Sequence, residues 1–171
     1  MSDINFRDSK YRWHQICIQE FLTSCGPASV AMVERIYKHL QRSDEPRARA
    51  ISQKYPGRWT IEGGAYMNNL SSVLNTEGVK AYKETYVGPA KVRSYLRYYA
   101  SFSTPVIAHV EWGGTSAMGH FVVCAIADTD DTFVFYDPWY GIIEIAGSDL
   151  PKYRVSGSTG VLTSWLVMTY H

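Results

Sequence analysis

The chain predicts an α+β fold with helices first and an antiparallel sheet second, and two textures along the sequence say so. Up to about residue 100, apolar positions recur at helical spacing; after Pro105 the sequence breaks into short β-branched and aromatic runs separated by Gly, Asp and Pro. Such an order suits helices packed on one side of a sheet. With 171 residues, 46% of them hydrophobic, the chain is long enough to bury a full core. One domain, 1–171, is expected, with a helical lobe over about 20–100 and a β lobe over about 104–171.

From Gly26, apolar residues fall at Val30, Val33, Ile36, Tyr37 and Leu40, which predicts a helix with Ser24 as its cap, Pro27 in its first turn and a stop at "SDEP", residues 43–46. A shorter helix is expected around Arg47–Tyr55, followed by a turn at "PGRW". Tyr66, Leu70, Val73 and Leu74 repeat at helical spacing and Gly78 supplies a stop. "VKAYKETYV" reads as a short strand, and "PAKVRSYLRYYA" as a helix opened by Pro89 with Val92, Leu96 and Tyr99 on one face. The strands follow as "PVIAHV", "HFVVCAIAD", "DTFVFYD", "GIIEIAG" and "VLTSWLVMTY". Between the first two lies "WGGTSAMG", residues 112–119, an irregular connection or a flap.

Composition excludes several classes. The net charge of +1 gives no reason to expect nucleic acid, although residues 1–110 carry fifteen Lys/Arg against nine Asp/Glu, and residues 111–171 two against seven. No apolar run is long enough for a membrane span, and the charged N-terminus "MSDINFRDSKYRWHQ" lacks a signal-peptide core. The expected location is the cytoplasm, or export by a route that reads no cleavable signal. Cys17, Cys25 and Cys124 do not form a disulfide framework, and reduced thiols are expected. No close Cys or His pair anchors a zinc site, so neither metal nor cofactor is expected.

Chemistry concentrates at three places. Cys25 falls at a helix start, where the dipole favours a thiolate and a neighbouring imidazolium would favour it further. In "GHFVVCAIADTDDTFVFYDP", a two-residue turn at Thr129-Asp130 would set Asp137 opposite Val122 and hence diagonal to His120 on the same face. A carboxylate there can hold one ring nitrogen of His120. The backbone N–H of Cys25 and the side-chain amide of Gln19, six residues upstream, are candidate donors to an oxyanion, with Gln15 as a substitute. Of the other histidines, His109 competes as base, since it also lies on a strand; His39 sits on a helix surface, His171 is terminal, and His14 is expected to be exposed. Cys17 and Cys124 are expected in the core.

"QEFLTSCGPASVAM", "GHFVV" and "YDPWYG" together resemble the papain-like cysteine peptidases, in particular the small bacterial branch that includes double-glycine leader peptidases and papain-like effector proteases of plant pathogens. The resemblance covers roughly Ile18 to Ile145. It implies a papain-like fold, Cys25 as nucleophile, His120 as base and acid, Asp137 as orienter and Gln19 in the oxyanion hole. It also implies Gly63 and Gly64 as the segment along which a substrate backbone lies, and Trp139 as an aromatic beside the catalytic pair. The expected partner is a peptide or protein substrate. The same constellation serves a transpeptidase, acyltransferase or deamidase, and a non-catalytic peptide-binding module would keep the fold alone.

Overall fold

Helix α1 (Cys25–Lys38) is the centre of the helical lobe, and its residues from Cys25 to Arg35 are buried, as an apolar helix enclosed by neighbours must be. The computed structural model describes residues 3–113 and 119–171. α1 does not use Ser24 as its side-chain cap: the Ser24 hydroxyl turns back and accepts from the Phe21 N–H at 3.0 Å, bracing the loop ahead of the cysteine. His39 ends the helix in the left-handed conformation. α2 (Glu45–Ser52) starts two residues before the expected position because Asp44 accepts from the Arg47 N–H and Pro46 occupies the first turn. α3 (Met67–Thr76) lies where the Tyr66–Leu74 spacing predicts it.

Two strands precede α1. β1 (Asp3–Arg7) and β2 (Trp13–Cys17) form an antiparallel ribbon that the sequence pattern did not suggest. The main sheet runs in the order β3 (Thr85–Tyr86), β9 (Ser158–Met168), β4 (Val106–Trp112), β5 (Gly119–Ala127), β6 (Thr132–Asp137) and β7 (Gly141–Ala146). β8 (Lys152–Val155) pairs with β9 and also touches β7, so the sheet curls towards closure. The predicted strand "VKAYKETYV" shrinks to β3 and an isolated bridge between Ala81 and Thr169.

The curl gives the sheet two differently covered faces. Ile107, Phe121, Val123, Ala125, Val134 and Val167 point outward and share a core with α1, α2 and α3. Val106, Ala108, Val122, Cys124, Phe133, Phe135, Tyr153 and Leu166 point inward. The inner core also takes Val92 and Leu96 from α4 (Val92–Tyr99), so the fourth helix covers the face opposite to the other three. Its first turn, Pro89–Lys91, is a tighter 3-10 turn.

The N-terminal ribbon is fastened by a buried charge network. His14, expected at the surface, is 2% exposed; its Nε2 meets Asp8 Oδ2 at 2.8 Å and its Nδ1 meets the Tyr136 hydroxyl at 2.8 Å. Asp8 also accepts from Arg12, whose guanidinium grips Asp128 through two bonds of 2.8 and 2.7 Å. Burial pushes the Asp8 carboxyl up, but the bonds from His14 and Arg12 outweigh it and bring it down to about 2. A depressed carboxylate stabilises the fold above its ordinary value of 3.8, and that contribution is lost as pH falls through about 2. Asp8→Ala is therefore expected to lower stability at pH 7 by about 3 kcal/mol, measured by denaturant unfolding. The difference from wild type should shrink at pH 2.

Candidate functional site

The entry to α1 sits against the mouth of the curled sheet, and local packing explains why. A Cβ on Gly26 would lie 3.1 Å from Leu70, 3.2 Å from Ala65 and 3.4 Å from Phe121, so the glycine lets the helix start close up against both α3 and β5. The Gln19 N–H donates to the Pro138 carbonyl at 2.9 Å, which ties the loop before Cys25 to the segment after Asp137. Thr23 adds a second tie, donating to the Ile61 carbonyl at 2.9 Å while its own carbonyl accepts from the Trp59 indole. These bonds bring three distant stretches of chain to one cleft of about 950 Å³.

Cys25, 7% exposed, lies at the first position of α1 and lines this cleft. At that position its backbone N–H has no partner within the helix. His120 approaches from the start of β5, 6% exposed, and lines the same cleft as Cys25, near enough for that side chain to help raise it. Its Nε2 meets Asp137 Oδ1 at 2.8 Å, which leaves Nδ1 clear of the carboxylate. Burial in the sheet mouth pushes the imidazolium down, yet the bond to Asp137 and the interaction with Cys25 outweigh it and carry His120 up to about 9. Trp112 stacks on the ring with centroids 5.7 Å apart and shields it from water.

Asp137 is fully buried and takes four donors. Oδ1 accepts from His120, from the Trp139 N–H at 2.8 Å and from the Tyr140 N–H at 3.1 Å; Oδ2 accepts from the Tyr153 hydroxyl at 2.8 Å. His120 and Asp137 thus share a face, as the hairpin reading expected, but by a different route. The turn is three residues long, with Thr132 paired to Asp128 and Asp131 left-handed at φ 67°. That adds one residue to the register, and a bulge between Cys124 and Ile126 removes it again before Val123 meets Tyr136. A two-residue type I′ turn needs positive φ at both positions, which β-branched Thr129 resists.

Gln19, 9% exposed, places its amide nitrogen 2.7 and 2.9 Å from the Phe21 and Leu22 carbonyl oxygens, within the loop that leads to Cys25. Gln15 is not beside it: its amide nitrogen donates to the Gln41 carbonyl and its oxygen accepts from Arg35, away from the cleft. Gly63 and Gly64 line the cleft on the helical side, where Gly64 closes a small bridge with Thr60. Trp139, 44% exposed, lines it on the sheet side. The connection 112–119 contributes Trp112 and Gly119 to the lining, and its residues 114–118 lie outside the described residues.

His109 lines the same cleft without a carboxylate on its ring. Its Nδ1 faces the Thr163 hydroxyl at 2.9 Å, and burial pushes it down from the ordinary histidine value. Gly119 gives that ring its room, since a Cβ there would collide with it. Cys17 and Cys124 are buried in the two cores, where burial pushes the Cys17 thiol up to about 12 and the Cys124 thiol still higher. Sequence reasoning missed Trp112 and Tyr153. Trp112 stood at the edge of a glycine-rich stretch, and Tyr153 in a four-residue strand without a motif.

Comparison with known proteins matches these observations. A solved structure described as a double glycine motif protease from an AMS/PCAT transporter, in complex with the leader peptide, superimposes with a TM-score of 0.61; the match covers 100% of this chain and 99% of that one at 20% identity. It shares the fold. No curated protein sequence matches the chain. Residues 9–155 match the model of the Peptidase_C39 like family. The chain belongs to that family and is a cysteine protease with a papain-like α+β fold.

Proposed function

We propose that the protein hydrolyses peptide bonds through a thioester formed on Cys25. The observation that carries this reading is the His120 ring, held by Asp137 and sharing with Cys25 the cleft into which the helix start opens. The imidazole takes the thiol proton, and the thiolate attacks the carbonyl carbon. Negative charge moves to the carbonyl oxygen, where the Cys25 N–H is the proposed donor; the Gln19 amide is proposed to join it on release from the Phe21 and Leu22 carbonyls, which take both its N–H groups in this structure. His120 then returns the proton to the leaving amine as the C–N bond breaks, leaving the acyl group on sulfur. Water, losing a proton to His120, attacks the thioester; the acid leaves and the thiol is restored.

Gly63 and Gly64 are the proposed track for the substrate backbone, because the two glycines line the cleft and carry no side chain to fill it. Trp139 is proposed to cover the catalytic pair from the sheet side. The described lining carries Glu84 and Glu111 and no Lys or Arg, a field that suits peptides with basic side chains. Residues 1–171 are proposed to work as one unit, since the cleft draws on both lobes. No helix among the described residues is long and apolar enough to cross a membrane.

The test is incubation of the reduced protein with a peptide library of basic, neutral and acidic sequences, with products weighed by mass spectrometry. Fragment pairs that together exceed the parent by one water are expected, most abundantly from basic peptides. Ligated products would identify a transferase, and intact peptides with an amide converted to an acid would identify a deamidase. Binding without any product would favour the peptide-binding module.

A further inference from the structure

We infer that Tyr153 is a positioning residue of the site, a fourth member in a chain that runs from the Cys25 thiol through His120 and Asp137 to the Tyr153 hydroxyl. The inference rests on the reading of Cys25 and His120 as a working pair.

Asp137 has no access to water, so each carboxylate oxygen must find its donors inside the protein. Oδ1 has three, from His120, Trp139 and Tyr140, whereas among the described residues the one donor to Oδ2 is Tyr153. That single bond sets the rotation of the carboxylate. With Oδ2 anchored, Oδ1 stays directed at His120 Nε2; without the anchor, the group can turn to share the two backbone N–H groups between its oxygens.

Tyr153 is itself held firmly. It is fully buried on β8, and its ring meets Phe135 edge-on at 5.5 Å and Trp112 at 6.1 Å. Trp112 in turn stacks on His120. The tyrosine therefore reaches the imidazole by two routes: through the Asp137 carboxylate, which sets the hydrogen bond, and through Trp112, which sets the ring plane. A packing role alone needs only the ring. A hydroxyl carried into an otherwise apolar core, 2.8 Å from a buried carboxylate, is there for its hydrogen bond.

The deciding variant is Tyr153→Phe, which keeps the ring and removes the donor. His120 is followed in protein labelled with ¹⁵N-histidine, its signal assigned with His120→Ala, so the readout does not depend on finding a substrate. In wild type the imidazolium should persist to about pH 9. In Tyr153→Phe its midpoint should fall by about one pH unit, and kcat on any cleaved peptide should fall about tenfold while KM stays close to wild type. A lower melting temperature with an unchanged midpoint, or a midpoint moved upward, overturns the inference. A wild-type His120 that titrates as an unpaired histidine overturns both the inference and the pairing it rests on. Failure to cleave any peptide, with the midpoint shift intact, overturns the proposed hydrolysis and leaves Tyr153 in its role.

Discussion

Cys25→Ala is expected to abolish peptide turnover, by about 10⁵-fold or more, with the fold intact. The proposed nucleophile cannot be replaced by either other thiol, because both are sealed in separate cores: Cys17 at 2% exposure beside α1 and Cys124 at 0% in the inner face of the sheet. Alanine at the first residue of α1 removes one sulfur from the cleft wall and disturbs neither the Gly26 contact nor the loop bonds from Thr23 and Gln19. Circular dichroism and melting should match wild type. Cys124→Ala should show the opposite pattern, losing about 1 kcal/mol of stability through a small cavity and keeping nearly all turnover. A protein whose activity survives Cys25→Ala and fails with Cys124→Ala would contradict the assignment.

Asp137→Asn is expected to lower kcat by about a hundredfold or more. The carboxylate accepts four hydrogen bonds and donates none, and asparagine would direct an N–H₂ group at partners that themselves donate. The ring of His120 would lose its negative partner, and the imidazolium held up to about pH 9 by Asp137 and Cys25 would give up its proton at lower pH. Because a raised histidine stabilises the folded state below its ordinary value of 6.5 and loses that effect as pH rises through about 9, the variant should also melt earlier near neutral pH. The difference should narrow above pH 9. A variant with a wild-type pH profile would reduce Asp137 to a turn residue before Pro138.

Much of this was legible in the sequence because it depends on local rules. Helical spacing from Val30, a Cys-Gly at a helix start, and alternating runs after Pro105 report on the chain within a few residues of themselves. The position of Asp137 was legible for a less direct reason. The turn is longer than expected, and a bulge in β5 corrects the register, so two departures cancel at the one pair that matters.

What escaped the sequence depends on partners far along the chain. His14 is polar and near the N-terminus, a position that reads as exposed, yet Asp8 and Tyr136 bury it. The ribbon of β1 and β2 carries mixed charges and has little alternation of its own; the network with Arg12 and Asp128 holds it in place. α4 has a clear apolar stripe, but a stripe does not say which face of a curled sheet it will cover. Tyr153 and Asp137 lie 16 residues apart and meet because the sheet curls β8 back towards β7.

The measurement that bears most directly on the central claim is alkylation of the reduced, folded protein with iodoacetamide from pH 4 to 9, with each cysteine quantified by peptide mapping, in wild type and in His120→Ala. A paired site predicts selective modification of Cys25 already at pH 6, with Cys17 and Cys124 protected, and loss of that advantage when the imidazole is removed. Cys25 as unreactive as Cys124 in wild type, or equally reactive with and without His120, would contradict it.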